Sequence, residues 1–417
     1  MSAANPTLAF NQKTILQYRP FRALWLAQFV SIFGDFLALF GVISLIAFRL
    51  HGSAVQVTTV TIAYVLPLAV ISPVAGVFVD HWNVKRVMIA SDVIRGFLIL
   101  LLVFVTNVAQ ICAIFAILSA ISSFFSPAQS VTIRTVVPKE GLLAANAMIT
   151  QAFYIVRLLS PFAAGALIAW LGEKVCFYLD TGSFVFSAVM ISTLVIVRPR
   201  VQTEKNLQSL TQDFLAGNKF IFTHAGLSFV FLAMGAAMFV LSAFSPLISI
   251  YIRDSLSAGP FIFGVISSMV GTGLIVGAQV LGRVHTPGSR TNVVLGGLLG
   301  LGVGAALLGA FHNIAMAAIS TFTMGFGISF VLIPAQTLSQ QETPPAMMGR
   351  VSSTFMSLIA VAQVLGLLLS GYLAQRLGIR ALFLASAGLL AVISGAGFLA
   401  MRGRGPASAE PVTQVNG

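Results

Sequence analysis

Three charged residues stand inside long apolar runs of this sequence, and they are the first places where chemistry is expected. Asp35 interrupts SIFGDFLALF, Arg95 interrupts VIRGFLIL, and Arg157 interrupts FYIVRLLSPF. A charged side chain within a membrane is costly and therefore marks an ion pathway, a substrate site or a structural pair. At 1.5 Å per residue the three lie about 20, 15 and 18 Å from one common side of the membrane. We expect them to occupy one layer.

Asp35 is the only carboxylate that the predicted helices place near mid-membrane, and it is the candidate proton-coupling residue. In this interpretation its carboxyl binds and releases a proton as access to water alternates between the two sides. The alternative is a permanent ion pair that only holds helices together, and the sequence leaves both open. Asp92 and Arg95, three residues apart on one helical face, are expected to form a local structural pair.

Long polar and aromatic side chains at a similar depth are candidate substrate contacts within a cavity. Arg157 carries the most weight, because its counterpart in an internal repeat is Gln363, so both halves place a long polar group at one depth. Each candidate has a structural alternative, a hydrogen bond to a neighbouring helix. The full set is Gln28, Arg95, Gln151, Tyr154, Arg157, Gln279 and Gln363.

The elements that position these residues follow from composition. With 58% hydrophobic and 8% charged residues in 417, the chain is too apolar for a soluble domain, where about a quarter of residues are charged. A membrane-crossing helix needs about 20 apolar residues. The sequence predicts twelve: 22–48, 56–79, 86–106, 108–126, 145–170, 175–197, 226–251, 261–282, 292–311, 314–333, 350–373 and 379–401.

The distribution of basic residues predicts the orientation. If the first helix leaves from the cytoplasm, one side holds sixteen of the 23 Lys and Arg residues and the other only Arg49, Lys174, Arg253, Arg376 and Arg380. Cytoplasmic loops carry such an excess of positive charge. We therefore expect both termini in the cytoplasm of a bacterial-type inner membrane. The net charge of +12 then needs no nucleic-acid partner, and lipid is the surrounding medium.

The domain organisation is an internal repeat of six helices. Residues 1–197 form the first predicted bundle, 198–225 a cytoplasmic linker and 226–417 the second bundle with a short tail. Apolar residues recur at near-helical spacing in the linker, which favours an amphipathic helix, although a solvated linker remains open. The repeat rests on matching segments: SPAQ at 126–129 with IPAQ at 333–336, and Ser160, Gly165 and Gly172 with Gly366, Gly371 and Gly378.

Enzyme signatures are absent from the sequence. No Gly-Lys pair occurs, so there is no Walker A loop, and neither HExxH nor GxSxG is present. We expect no enzyme activity, no cofactor and no metal. The segment with Ser160, Pro161 and Gly165 is instead either a flexible gating point or a place of tight helix packing.

The loop between predicted helices 2 and 3 carries a family resemblance. Gly76 and Asp80, four residues apart, followed by Lys85 and Arg86, resemble the loop signature of the major facilitator superfamily. The segment from Ser160 to Gly165 is similar to its antiporter motif in helix 5. FRALWLAQFVSIFGD, GSAVQVTTV and the SPAQ region resemble the drug:proton antiporter branch, which includes macrolide-efflux and enterobactin-exporter proteins. The resemblance implies two six-helix bundles that alternate access to a central site lined by helices 1, 4, 7 and 10.

The same loops predict a gate at the cytoplasmic face. Asp80 and Arg134 are expected to pair in the first half, and Arg283 and Glu342 to pair with exchanged signs in the second. Two such pairs, with Gly76, Lys85 and Arg86 beside them, would stabilise the state closed on that side by about 1 kcal/mol each. The alternative is that these charges only enforce topology.

The leading functional hypothesis is a monomeric, proton-coupled exporter of hydrophobic or amphipathic small molecules, such as drugs or macrolides. A lysophospholipid translocator and a siderophore or metabolite exporter keep the same fold and change the cargo. A non-transporting membrane sensor or assembly protein is the alternative from another class.

Overall fold

The computed structural model describes residues 12–79, 81–196, 207–283, 290–344 and 347–402. Within them twelve helices are long and apolar enough to cross a membrane, as the sequence predicts. We number them spans 1 to 12. They are Arg19–Ser44, extended by a π-helical turn Leu45–Arg49, then Ala54–Val79, Val84–Leu101, Val108–Val136, Leu142–Leu171, Lys174–Ser192, Ala225–Asp254, Pro260–Arg283, Arg290–Ala310, Ile314–Glu342, Met348–Leu377 and Ile379–Arg402.

Spans 4 and 10 are longer than predicted because neither ends at its proline. The sequence places their ends near Ser126 and Ile333, whereas the helices continue to Val136 and Glu342 with Pro127 and Pro334 inside them. A proline removes one intrahelical hydrogen bond, and neighbouring helices compensate for that loss in membrane proteins. The added turns are more polar and extend toward the side of the membrane where span 1 begins.

The spans pack as two groups of six. Span 1 contacts spans 5 and 6, span 3 contacts spans 4 and 6, and span 2 contacts span 4. In the second group span 9 contacts spans 10 and 12, span 8 contacts span 10, and span 7 contacts span 11. Large apolar side chains such as Val70, Phe97 and Val392 are exposed on the surface of the helices, as expected for a protein whose solvent is lipid.

The two bundles meet along two helix pairs that are equivalent under the repeat. Span 5 packs on span 8, and span 11 packs on span 2. The Cβ position of Gly165 lies 2.8 Å from the Gly264 Cα, and that of Gly371 lies 2.1 Å from the Thr58 hydroxyl oxygen. We call the side where span 1 begins the terminal face and the opposite side the distal face. Both glycine contacts lie in the distal half.

Arg253, at the distal end of span 7, also joins the bundles. Its Nη1 donates hydrogen bonds to the Ala47 carbonyl oxygen at 2.5 Å and to the Gly52 carbonyl oxygen at 2.9 Å. Both carbonyls belong to the π-helical end of span 1 and the loop after it, where helical hydrogen bonds run out. The guanidinium therefore binds orphan backbone acceptors of the other bundle and closes the distal side.

The linker contains a helix, Leu207–Thr223, on the terminal face. Its Gly217 packs directly on the Arg350 backbone at the start of span 11, and Ile221 is fully buried. Leu215 and Phe222 lie on its exposed side. The amphipathic helix expected from the sequence therefore exists, and one of its apolar faces is covered by the second bundle.

Candidate functional site

A buried polar cluster lies inside the first bundle. The Arg95 guanidinium on span 3 binds Asp92 one turn earlier, and its Nη1 lies 3.8 Å from Asp35 Oδ2 on span 1. The Asp92 and Arg95 side chains are 0% and 5% exposed, whereas that of Asp35 is 22% exposed. The expected local pair between Asp92 and Arg95 is therefore present, and Asp35 joins it as the looser and more accessible partner.

Two aromatic rings hold the Arg95 guanidinium in place. Its central carbon lies 4.6 Å from the ring centre of Phe125 on span 4 and 4.4 Å from that of Phe184 on span 6. A cation over an aromatic face is stabilised by the ring quadrupole, more strongly where water is excluded. Spans 1, 3, 4 and 6 thus converge on one guanidinium, which fixes the position of the charge that Asp35 faces.

Asp180 on span 6 is a third buried carboxyl beside this cluster, and the sequence interpretation missed it. Asp35 is therefore not the only carboxylate in this layer. Asp180 is fully buried and accepts a hydrogen bond at 3.0 Å from the Ser183 hydroxyl. It reaches span 1 because Gly34 has no side chain: a Cβ there would lie 2.4 Å from Asp180 Oδ1. The glycine directly before Asp35 was the available signal.

Arg157 does not join the cluster, although it was expected in the same layer. Phe36 and Phe153 are in ring contact at 6.0 Å, so spans 1 and 5 do align at this depth. Asp35 nevertheless faces spans 3 and 6, whereas Phe36 and Arg157 line a cavity between the bundles. The shared layer stays a prediction, and the direction of the side chains separates the two sites.

This central cavity has a volume of about 320 Å³ and is mostly apolar. Spans 1, 2 and 5 supply one wall, and spans 7 to 11 supply the other. Its polar groups include Arg157, Gln363 and Tyr64, so the two residues equivalent under the repeat both face it. The apolar lining includes Phe36, Leu39, Phe40, Ile43, Leu241, Phe244, Ile248, Met324 and Leu367.

A second cavity, of about 340 Å³, lies in the terminal half between span 5 and spans 8 and 10. Tyr154 and Gln279 line it together, with the Ser329 side chain beside apolar groups. Gln28 and Gln151 are not among the lining residues of either cavity. The predicted substrate set is thus divided: Arg157 and Gln363 face one cavity, Tyr154 and Gln279 the other, and Arg95 is bound within the polar cluster.

The segment from Ser160 to Gly165 lies at the crossing of spans 5 and 8. Ser160, Pro161 and Gly165 are all buried. A Cβ on Gly264 of span 8 would lie 2.4 Å from the Pro161 carbonyl oxygen. The sequence left open a flexible gating point or a place of tight helix packing. The arrangement in the structure is tight packing, and it joins the two bundles.

The described residues of the loop signature lie at the terminal face. Gly76 is in the last turns of span 2, and Asp80 lies outside the described residues. Lys85 Nζ donates to the carbonyl oxygens of Ser192 at 2.6 Å and Leu194 at 2.8 Å, which ties the start of span 3 to the end of span 6. The Arg86 side chain is exposed. Lys85 therefore acts within the first bundle.

The remaining gate candidates are exposed on the same face. Arg134, Arg283 and Glu342 all have exposed side chains, and Arg283 forms no ion pair with Glu342 in this structure. The distal half holds the close contacts between the bundles, so the terminal gate is expected to be open here. Pairing of these charges in the opposite state stays a prediction.

A family model agrees with this architecture across almost the whole chain. The model described as Major Facilitator Superfamily matches residues 24–358 and 230–415. The chain belongs to the major facilitator superfamily. The central cavity of this superfamily member is lined by spans 1, 7 and 10, as the resemblance implies, but its described lining contains spans 2, 5, 8, 9 and 11 and no residue of span 4. Span 4 instead supports Arg95 through Phe125.

Relatives within the superfamily cover most of the chain at low identity. The uncharacterized MFS-type transporter YfiS of Bacillus subtilis is 27% identical over 92% of this chain and 92% of its own length. Macrolide efflux protein A of Streptococcus pyogenes is 24% identical over 90% of this chain and 94% of its own. The lysophospholipid transporter LplT of Yersinia enterocolitica is 25% identical over 77% and 78%.

Solved structures share the fold. A POT family transporter crystallised with 5-aminolevulinic acid superposes with a TM-score of 0.75 at 13% identity, covering 94% of this chain and 98% of that one. At this identity the similarity establishes the arrangement of the twelve helices alone. The chain is thus a multi-pass membrane protein with the fold of a transporter.

Proposed function

We propose that this protein is a secondary active exporter of hydrophobic or amphipathic small molecules that works by alternating access. The observation that carries the proposal is the central cavity, which both bundles enclose at mid-membrane. A binding site at a bundle interface near the bilayer midplane is the arrangement that rocking of the two halves exposes to each side in turn. The macrolide efflux relative supports export of drug-like cargo.

The proposal includes coupling to proton entry through the polar cluster. Asp35 is partly exposed and sits 3.8 Å from the Arg95 guanidinium, so it can exchange a proton with water and respond to the movement of span 1. Asp92, by contrast, is sealed from solvent by its direct bond to Arg95. In the proposed orientation the termini lie in the cytoplasm of a bacterial-type inner membrane. Protons that enter the cell down their gradient then drive the export of cargo.

An efflux assay in a bacterial host that lacks its own drug pumps tests the function. Dyes, macrolides and lysolipids are each loaded, and efflux is followed with and without a proton uncoupler. We expect the protein to lower retention of at least one hydrophobic compound, and the uncoupler to abolish this effect. Absence of protein-dependent efflux for every compound would contradict the proposal and favour a sensor or assembly role.

A lysophospholipid translocator is the second candidate, because the relative LplT of Yersinia enterocolitica carries that name. It predicts movement of lysolipid without a proton gradient. Lysolipid transport that is insensitive to the uncoupler, with no export of dyes or macrolides, would select this candidate over the first.

A further inference from the structure

The central cavity contains one charged group among its lining residues, the Arg157 guanidinium. The side chain is exposed within the cavity, and no residue that the structure describes accepts a hydrogen bond from it or pairs with it. Its counterpart by depth, Arg95, is bound by Asp92, Asp35 and two aromatic rings. An arginine within a membrane normally has such partners. Arg157 lacks them.

Other polar groups of the cavity can donate hydrogen bonds to an anionic head, but hydroxyl and amide groups also accept, so the selection by charge rests on Arg157. Tyr64 and Gln363 add a hydroxyl and an amide, and the Ser267 hydroxyl has no hydrogen-bond partner. Ser267 stands one turn from Gly271, whose Cβ position lies 2.9 Å from the Leu158 Cα. Arg157 and Ser267 therefore sit at the same crossing of spans 5 and 8. No carboxylate is among the residues that line the cavity.

The rest of the lining fits a hydrophobic body. Phe36, Phe40 and Phe244 line the cavity beside leucine, isoleucine and valine side chains. Its volume of about 320 Å³ lies at the small end of the range of about 300–1,000 Å³ that is usual for ligand sites. A compact apolar group fills such a space, and a single ionic head can reach Arg157.

We infer that the preferred cargo is a hydrophobic anion whose carboxylate or phosphate head binds Arg157. Guanidinium pairs both heads in a bidentate manner, which a neutral or cationic compound cannot reproduce. A cationic amphipath meets the like charge of Arg157, because Asp35 lies 3.8 Å from the Arg95 guanidinium and is not among the described residues that line this cavity. The inference rests on the proposed function and specifies the substrate class of the same cavity.

The test uses four tritiated probes that share a naphthalene body: 2-naphthylacetate, 2-naphthylmethyl phosphate, 2-(2-naphthyl)ethanol and 2-(2-naphthyl)ethylamine. Their binding to the full-length protein in lipid nanodiscs is measured by equilibrium dialysis, with empty nanodiscs subtracted. We expect one or both anions to bind roughly 10- to 100-fold more tightly than the alcohol. The stronger of the two anions identifies a carboxylate or a phosphate head.

Variants assign the preference to Arg157. Arg157→Gln should remove the advantage of the anions and leave alcohol binding unchanged, which also shows that the protein is folded. Arg157→Lys should retain only part of the advantage, because the charge remains but the bidentate geometry is lost. Arg376→Gln is the matched control: it removes an arginine from the distal face, where the side chain lies over the Tyr372 ring and outside the cavity. We expect no change in that variant.

Equal or tighter binding of the amine, or an unchanged anion preference in Arg157→Gln, overturns the inference. If the inference fails in this way but the host assay shows efflux of dyes, the exporter proposal is retained. Absence of any protein-dependent efflux and of binding by every probe overturns both. The two failures are therefore distinguishable.

Discussion

At the scale of single residues, the main feature is an imbalance of charge in the first bundle. One guanidinium, Arg95, faces the carboxyls of Asp35 and Asp92, and Asp180 lies beside Gly34 with one oxygen unpaired. Burying an ionised group is costly unless it is paired. Asp35 alone combines a weak pair with exposure, so it is the member of the cluster that can exchange a proton with water during transport.

Replacing Asp35 by Asn is expected to abolish efflux driven by a pH gradient while leaving the protein folded. The asparagine side chain has nearly the same shape as that of aspartate, but it carries no charge and has no carboxyl proton to exchange. Asp180→Asn serves as the matched control, since this carboxyl is sealed and bound to Ser183, and we expect it to retain transport. Both variants are reconstituted in liposomes, and substrate-dependent proton flux is recorded with a pH-sensitive dye.

Full pH-driven efflux in the Asp35 variant would show that this carboxyl is only a structural partner of Arg95. Loss of flux in the Asp180 variant alone would move the proton site to span 6. Both results are interpretable only if the two variants elute as monodisperse protein in size-exclusion chromatography.

At the scale of secondary-structure elements, the crossing of spans 5 and 8 determines how closely the bundles approach. Gly165 and Gly264 face each other there, and a side chain on either meets backbone atoms of the other helix. Small residues allow this approach, which in lipid is stabilised by van der Waals contact. Backbone atoms cannot move aside as a flexible side chain can. A larger residue at this crossing is therefore expected to disturb the closed distal side.

Gly264→Leu is expected to shift the protein away from the distal-closed state. The leucine must displace the backbone of Pro161 or Gly165, because its Cβ alone would lie 2.4 Å from the Pro161 carbonyl oxygen. Spin labels at the exposed distal positions Thr106 and His312 report the separation of the bundles by double electron–electron resonance. We expect the distance distribution to move to longer values.

Gly182→Leu is the control for this experiment, because nothing lies within 4 Å of its Cβ position. It should leave the distribution unchanged. An unchanged distribution in the Gly264 variant, in protein that is properly folded, would mean that this crossing bends without separating the bundles and that Arg253 and the crossing of spans 2 and 11 sustain the closure.

At the scale of the whole molecule, the two faces differ. The distal half holds the glycine crossings and the hydrogen bonds of Arg253, whereas Arg283 and Glu342 on the terminal face are exposed and unpaired with each other. Closing the terminal face during transport would bring its charges together. The balance between the two states then depends on contacts that form at one face as they break at the other.

Reversing the charges of the predicted second-half pair tests this balance. Arg283→Glu and Glu342→Arg should each slow transport, by up to about fivefold, because exposed pairs contribute little energy. The double variant should recover much of the rate, since it restores opposite signs. Initial rates in proteoliposomes, corrected for protein content, give the comparison. A double variant that loses as much rate as the two single variants combined would show that the two residues do not pair and only help to set the topology.

The sequence by itself determined the twelve spans and the depth of their charged residues. Both follow from local physics: a bilayer demands about 20 apolar residues per helix, and a helix rises 1.5 Å per residue. The same arithmetic led to the expectation of one layer for Asp35 and Arg157, whose side chains the structure assigns to different sites. The predicted ends of spans 4 and 10, at 126 and 333, were too early, because the helices continue through Pro127 and Pro334 and the folded bundle tolerates the lost hydrogen bond.

Only the tertiary structure decided which of these charges meet. Asp180 stands near the end of its own predicted helix, and Gly34 was the one local signal, but it did not indicate which helix would fill the space beside Asp35. Arg157 was expected in the layer of Asp35 yet faces the cavity, because the rotation of each helix about its axis depends on the surfaces it packs against. Depth is a property of one helix, whereas a site is a property of several, and packing alone assigned Asp35 to the cluster and Arg157 to the cavity.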